Sequence, residues 1–496
     1  MSPVFCFDLC LIHDTRNIII LLFFYQILRL LNQEESSVKY YSYIPIFLTF
    51  SLFVGINCKV SPKNVSVVGT GYVGLIVGAG LADMGHNIVC ADIDKDKITM
   101  LQNGKMPIYE PGLEKIVEKN VLQRRLYFTS NVPDAIRNSE IVIVAVGTPM
   151  GDNGDADLTA LKAVVKTIAH NLNGYKVVCI KSTVPVGTNA FVKSFMEQEA
   201  GHADFDVVSN PEFLRAGSAI KDFFTCNPIV LGSDSEKALD VMADLYSHLI
   251  ENGLDLIRTN FQTAEMVKYA WNSFSAIRIA YVNELSRFCC SCGADIFTVV
   301  KGMSLSDKLL PSKKIKPGPG IGGSCLPKDT RAFVAMANKR GIDLCLVKAY
   351  MESNKKQKQF VVENLYKLLN DDVNGKVIGI LGLSFKKNTD DIRMSPAIHV
   401  IQKLLKAGAR VKAYDPRAMD NMKNIFPDIE YCDSCQWVVE NVDAVVILTP
   451  WDEFKNIEFK RDYKSGKVPV IVDARNMFDP TVFKNNGIDY HNLGRC

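Results

Sequence analysis

The sequence predicts an α/β protein: two doubly wound, Rossmann-like domains joined by one long central helix. Three observations carry that expectation. Short Val/Ile-rich runs alternate with helical segments, the pattern of a parallel sheet buried on both faces. The alternation occurs twice, with the same punctuation in the same order. Between the two series, residues 262–295 contain no proline and a single glycine near the end, with apolar residues at roughly helical spacing.

The first series consists of NVSVVG (64–69), NIVCADID (87–94), EIVIVAVG (140–147), YKVVCIKS (175–182) and DFDVVSNP (204–211). An Ala/Gly/Leu-rich helix is expected after the first glycine turn, to about Met84. The second series is KVIGILGLSF (376–385), ARVKAYDP (409–416), DAVVILTPW (443–451) and VPVIVDARN (468–476). Each has a glycine after its first strand, an acid closing its second, and Thr-Pro after a later one. Ligands of such sheets bind at the carboxyl ends of the strands. The expected boundaries are 61–258, 259–374 and 375–496, with the helical middle as linker and candidate dimer surface.

At 496 residues the chain is too long for one core, so roughly two or three domains are expected. The 48% hydrophobic and 22% charged content is that of a folded protein. No basic block interleaved with aromatics occurs, so nucleic acid is not an expected partner. The 14 cysteines are scattered and form no compact disulfide framework. Two CxxC pairs, Cys289/Cys292 and Cys432/Cys435, lie far apart without a nearby histidine, so no metal site is expected. A reduced, cytoplasmic protein fits this usage.

Residues 1–60 differ from the rest. Their apolar runs, 17–31 and 43–56, fall short of the ~18–20 residues of a membrane span. Asp8 and Asp14 sit where a signal peptide would carry basic residues. The favoured expectation is an extension outside the folded part, translated ahead of a true start near Val60. No methionine lies between Met1 and Met84, so that start would need an alternative codon. A membrane tether is the alternative.

GTGYVG (69–74) follows a predicted strand, opens a predicted helix, and precedes Asp92 at the end of the next strand. That context makes it a dinucleotide fingerprint. Gly69 allows the tight turn, Gly71 the approach of the pyrophosphate, and Gly74 close helix–strand packing. The helix N-terminus would receive the phosphates. Asp92 would accept from ribose hydroxyls and repel a 2′-phosphate, so NAD is the expected cofactor.

GIGGSCLPKD (320–329) presents Cys325 at the end of a glycine-rich turn, followed by Lys328 and Asp329. By itself it fits either a nucleophilic thiolate beside a cation or a buried cysteine after a loop. GLSFKKNTDDIR (382–393) lacks the dinucleotide glycines and carries Lys386, Lys387 and Arg393. It fits either side-chain binding of a second phosphate ligand or a solvated basic loop.

Taken with GTGYVGL (69–75), an ordered set of motifs runs along the chain: PIYEPGL (107–113), VGTP (146–149), KSTVPVGT (181–188), SNPEFL (209–214), KYAWN (268–272), GGSCLPKD (322–329), FKKNTDDIR (385–393) and DARN (473–476). From about Lys63 to Arg495 the chain resembles the nucleotide-sugar 6-dehydrogenases of the UDP-glucose/GDP-mannose dehydrogenase family. That resemblance implies oxidation of a sugar C6 alcohol to a carboxylate in two NAD-dependent steps, with Cys325 forming a thiohemiacetal and then a thioester. It implies that Lys268 and Asn272 stabilise the C6 oxyanion. Glu212 and Asp329 would handle water and protons, and Thr183 would position water. NAD would also meet Val73, Lys97, Thr148, Thr183, Lys328 and Arg393. The sugar nucleotide would contact Glu212, Phe213, Leu214, Arg215, Ala216, Lys268, Asn272, the turn Lys314, Ile315, Lys316, Pro317 and Gly318, then Gly322, Lys386 and Arg475. UDP-glucose is the expected substrate, and GDP-mannose or a UDP-N-acetylhexosamine the alternative.

Several positions depart from the family pattern. Ala216 stands where Glu is usual, Met394 where Glu is usual, and Cys226-Asn227-Pro228 where Pro-Asp-Arg is common. Residues 303–318 lack the usual Asp-x-Arg-Ile-Gly, with Lys308 the nearest cation, and lean towards the GDP-mannose relatives. SNPEF and GGSC argue against the N-acetylhexosamine branch. A one-step hydroxy-acid dehydrogenase would share the first domain but have no use for Cys325. A non-catalytic sugar-nucleotide binder would be expected to lose Cys325, Lys268 or Asp329.

Overall fold

Strands whose every residue is buried form the centre of the first sheet. IVIV (Ile141–Val144, β4) and KVVCI (Lys176–Ile180, β5) have no exposed position. Such runs suit a sheet covered by helices on both faces. The computed structural model describes residues 61–201, 204–225, 228–306, 316–459 and 469–495. The expectations for residues 1–60, Cys226, Asn227, Lys308, Lys314 and Ile315 lie outside the described residues.

The first sheet has eight strands, in the order β3-β2-β1-β4-β5-β6-β7-β8. Besides β4 and β5 it contains β1 (Asn64–Val68), β2 (Asn87–Ala91), β3 (Leu126–Thr129), β6 (Phe205–Ser209), β7 (Ile229–Gly232) and β8 (Leu256–Thr259). Neighbours are parallel except at β6–β7. The second sheet comprises β9 (Val377–Leu381), β10 (Arg410–Tyr414), β11 (Glu430–Tyr431), β12 (Ala444–Ile447), β13 (Val470–Asp473) and β14 (Tyr490–Asn492). All its pairs are parallel, in the order β11-β10-β9-β12-β13-β14. The first six strands of sheet one and all six of sheet two therefore share one doubly wound order. Each sheet has its switch point beside its first strand.

Nine of these strands fall in the runs expected from sequence. The other five, β3, β7, β8, β11 and β14, are two to four residues long. Periodicity carries little information over so short a run.

Helix α1 (Tyr72–Asp83) opens directly from the first glycine turn. Helix α2 (Phe261–Cys292) is the long connector, about 48 Å at 1.5 Å per residue. Asn260 caps it by accepting from the Thr263 N–H at 2.8 Å, and left-handed Gly293 (φ 74°) ends it. Its buried residues include Ala264, Lys268, Tyr269, Asn272, Ala276 and Ala280. That face packs on helix α3 (Leu326–Asn338) and helix α4 (Cys345–Leu368). Buried Glu265 accepts from the N–H groups of Gly187 (2.7 Å) and Asn189 (2.8 Å), tying α2 to the KSTVPVGT loop. Among the described residues, no helix is long and apolar enough to cross a membrane.

The glycine turn separates two physical roles. A Cβ at Gly74 would lie 1.8 Å from the Gly69 carbonyl oxygen, whereas one at Gly71 would meet nothing within 4 Å. Gly74→Ala is therefore expected to destabilise the fold by about 2 kcal/mol or more, because backbone must move. Gly71→Ala is expected to stay within about 0.5 kcal/mol of the native protein. Denaturant unfolding of both variants checks the contrast.

Candidate active site

Cys325 is the N-cap residue of α3, so its thiol sits at the positive end of a helix. The turn before it is held against the second sheet's first loop. The Gly323 N–H donates to the Arg393 carbonyl at 2.8 Å. A Cβ at Gly322 would come within 2.6 Å of the Met394 carbonyl oxygen, and one at Gly323 (φ +85°) within 2.8 Å of the Phe385 ring. Only glycine permits that approach. The cysteine is exposed to the cleft. Yet desolvation by the surrounding protein pushes its thiol up; Glu212 adds to the rise, Lys268 opposes it, and Asp329 adds a smaller push. The resting side chain is a thiol.

Around it the structure brings together four polar residues expected from the sequence. Lys268 and Asn272 lie one turn apart on the buried face of α2. The Lys268 ammonium donates to Glu212 Oε1 at 3.1 Å, both side chains being 5% exposed. Burial pulls the lysine down, but Glu212, with Cys325 and Asp329 adding, more than reverses this and raises its pKa. Lys268 is therefore charged. The Asn272 amide donates to Asp329 Oδ2 at 2.6 Å. Asp329 is itself 1% exposed, and its backbone N–H closes the first turn of α3 on the Cys325 carbonyl at 2.9 Å. Lys328 pairs with Asp329 at 2.6 Å and donates to Thr148 Oγ1 at 3.3 Å; Thr148 Oγ1 in turn donates to the Thr183 carbonyl at 2.8 Å. The site is thus an alternation of cations and carboxylates around one thiol.

The cofactor half has a geometry of its own. Gly71 leaves open space over the start of α1, whose N-terminal N–H groups have no side-chain cap. Asp92 follows β2 and accepts from the Thr70 N–H and hydroxyl, both at 2.8 Å, and from Lys97 at 3.3 Å. Burial raises its carboxyl, but these donors outweigh it and hold the pKa below the ordinary value. Its Oδ1 accepts the Asp94 N–H at 3.1 Å and has a lone pair left for a further donor. These residues fit a dinucleotide, with Val73 in the first turn of α1. Arg393 is exposed and held in a fork by Asp391, at 2.9 and 2.7 Å.

On the opposite side, Lys386 is half-buried and stacks over Phe385 at 5.6 Å. It has no ion-pair partner among the described residues. Burial, with Arg215 next, lowers it to about 8. Lys387 instead points to Asp452 at 2.8 Å. Arg475 donates to the carbonyls of Leu448 (2.6 Å) and Phe385 (3.1 Å), and burial lowers it to about 10. A Cβ at Gly318 would come within 3.0 Å of its guanidinium. Pro317 and Gly318 are buried and Lys316 is exposed. The Phe213–Ala216 segment follows Glu212: Phe213 stacks under Lys268 at 5.4 Å, the Leu214 N–H donates to Glu212, and Arg215 forks onto Asp222.

Glu110 lies in PIYEPGL and has no role legible from the sequence. Its carboxylate accepts from the N–H groups of Gly217 (2.6 Å) and Ala219 (2.7 Å) and from the Tyr72 hydroxyl. It therefore holds the 212–219 segment over α1. Nothing local in the sequence marks this, because Gly217 and Ala219 lie more than 100 residues away.

Three domain descriptions of one family match the chain in order. They are the NAD-binding domain (residues 63–250), the central domain (262–356) and the UDP-binding domain (379–480) of the UDP-glucose/GDP-mannose dehydrogenase family. The UDP-glucose 6-dehydrogenase TuaD of Bacillus subtilis is 45% identical over 435 residues, covering 87% of this chain and 93% of the relative. The Rhizobium meliloti UDP-glucose 6-dehydrogenase is 41% identical, covering 87% and 99%. A UDP-glucose dehydrogenase structure from Pyrobaculum islandicum superposes with a TM-score of 0.82 at 32% identity, covering 89% of this chain and all of that one. The fingerprint on α1, the cysteine at the start of α3 and the cationic loop of the second sheet occur within the three matched stretches. The chain belongs to the UDP-glucose/GDP-mannose dehydrogenase family.

Proposed function

We propose that this enzyme oxidises the C6 alcohol of UDP-glucose to the carboxylate of UDP-glucuronate through a covalent bond to Cys325. Each sugar consumes one water and reduces two NAD. The observation that carries the chemistry is the convergence of Lys268–Glu212 and Asn272–Asp329 on one accessible thiol at a helix N-terminus. The substrate reading rests on relatives named UDP-glucose 6-dehydrogenases, at 45% and 41% identity.

Bound NAD supplies the hydride acceptor for both oxidations. The chain's own residues do the rest. Lys386 and Arg475 are cations lowered by burial, and the sugar nucleotide's diphosphate compensates them. After the first oxidation, Cys325 gives its proton to the Asp329 carboxylate and its sulfur bonds to the C6 aldehyde carbon, the carbonyl π pair moving to oxygen. The aldehyde oxygen becomes an anion. Lys268 Nζ and the Asn272 amide, already desolvated, turn from their carboxylate partners towards it. Loss of hydride from C6 then leaves a thioester. Glu212 takes a proton from the attacking water, positioned with Thr183, the C–S bond breaks, and sulfur leaves as thiolate to be reprotonated. Asp329 relays protons beside Asn272.

The enzyme acts as a homodimer through α2. Trp271, Phe274, Tyr281 and Phe288 are each half-exposed or more and fall at spacings of three and seven, along one edge of that helix. A second copy covers such a stripe. Replacing Trp271 and Phe274 by Lys and Glu is expected to halve the mass measured by light scattering; an unchanged dimer would place the contact elsewhere.

NADH production is expected to be highest with UDP-glucose among UDP-glucose, GDP-mannose, UDP-N-acetylglucosamine and UDP-N-acetylmannosamine, at two NADH per sugar. Preference for GDP-mannose would overturn the substrate. Cys325→Ala should still bind NAD and UDP-glucose while uronate formation falls by several orders of magnitude. Near-native turnover in that variant would make the cysteine structural.

Reactivity should follow the thiol's raised pKa. The thiolate fraction grows with pH, so alkylation of ligand-free enzyme by iodoacetamide should accelerate to a midpoint above that of an ordinary thiol. Lys268 is the charge favouring the thiolate, so Lys268→Met should move that midpoint higher still. A midpoint near neutrality would contradict the electrostatics described.

A further inference from the structure

A buried lysine outside the expected set lies behind Glu212. Lys181 follows β5 and is 7% exposed. Its ammonium donates to Asn210 Oδ1 at 2.8 Å and lies 3.5 Å from the Tyr246 hydroxyl, which donates to the same Oδ1 at 2.8 Å. Asn210 is clamped in turn. Its amide donates to the Val230 carbonyl at 2.8 Å, and its backbone N–H to the Ile180 carbonyl at 2.9 Å. Only Pro211 separates it from Glu212. Three N–H groups on Lys181 thus share one well-placed acceptor.

Lys181, Asn210, Glu212 and Tyr246 also line one small cavity of about 50 Å³, several times the room one water needs. The groups facing the ammonium are the Cys179 thiol, Glu212, Lys268 and Tyr246, with Asp222, forked by Arg215, on the cavity wall. Burial holds the lysine down at about 8, with Cys179 and Glu212 opposing that and Lys268 adding to it. It is charged at neutral pH. A methionine would fill the same space without desolvating an ammonium. What the ammonium adds is a donor that fixes the Asn210 amide, two residues before Glu212.

We propose that Lys181 is a positioning residue for Glu212: by fixing the Asn210 amide, one proline away, it holds that carboxylate in place to deprotonate the attacking water. This rests on the role of Glu212 proposed above.

The test is the rate of thioester hydrolysis in single turnovers. Lys181→Met fills the space but removes the donor to Asn210, and should slow hydrolysis about tenfold, whereas Lys181→Gln keeps a donor and should restore the rate to within about threefold of native. KM for UDP-glucose and NAD binding should change by less than about twofold in both, and in a Glu212→Gln background Lys181→Met should add less than about twofold. Native hydrolysis in folded Lys181→Met, an equal loss in Lys181→Gln, or an equal loss in the Glu212→Gln background overturns the proposal. Should Lys181→Met not fold, a loss of about tenfold in folded Lys181→Gln still overturns it. Unaltered enzyme without Cys325-dependent turnover would instead overturn the reading on which this one rests.

Discussion

The cleft depends on one buried ion pair. Lys268 and Glu212 meet at 3.1 Å with both side chains 5% exposed. Removing one partner from such a pair leaves an uncompensated buried charge, at a cost of about 3–5 kcal/mol. The pair therefore registers α2 against the loop leaving β6. Everything beyond it follows by short steps: one turn along α2 to Asn272, across to Asp329, and back one turn of α3 to Cys325. A displacement of α2 would be felt at the thiol.

The two sheets share a strand order but not a binding chemistry. In the first, Asp92 stands part-buried at the end of β2 with a lone pair to spare. In the second, the matching acid, Asp415, is 0% exposed and accepts from the N–H groups of Leu383, Ser384, Arg417 and Ala418, the Ser384 hydroxyl and the Trp451 indole. A ribose would find no acceptor there. The second sheet offers side-chain cations instead. Lys386, half-buried and without a carboxylate partner among the described residues, is the one whose charge most needs an incoming anion.

These halves meet at the glycine turn before Cys325. Gly322 and Gly323 lie too close to Met394 and Phe385 to carry side chains, so the cysteine loop is moulded to the second sheet's first loop. Family membership and the thiol's placement thereby connect: residues from all three matched stretches enclose one sulfur.

The sequence by itself determined the two series of buried strands, the long helix and the dinucleotide turn, because each is written in local periods and in glycines with fixed steric jobs. GTGYVG followed by Asp92 needed no tertiary knowledge, and the ordered motifs named Cys325, Lys268, Asn272 and Asp329. Short strands such as β8 and β14 escaped because a few residues carry no period. Only the tertiary structure decided which charges face one another. Glu110 reaching Gly217, Lys181 reaching Asn210, and Lys387 paired to Asp452 all depend on contacts distant in sequence. Coulomb forces act through space and burial is set by packing, so neither is written in the spacing of residues along the chain.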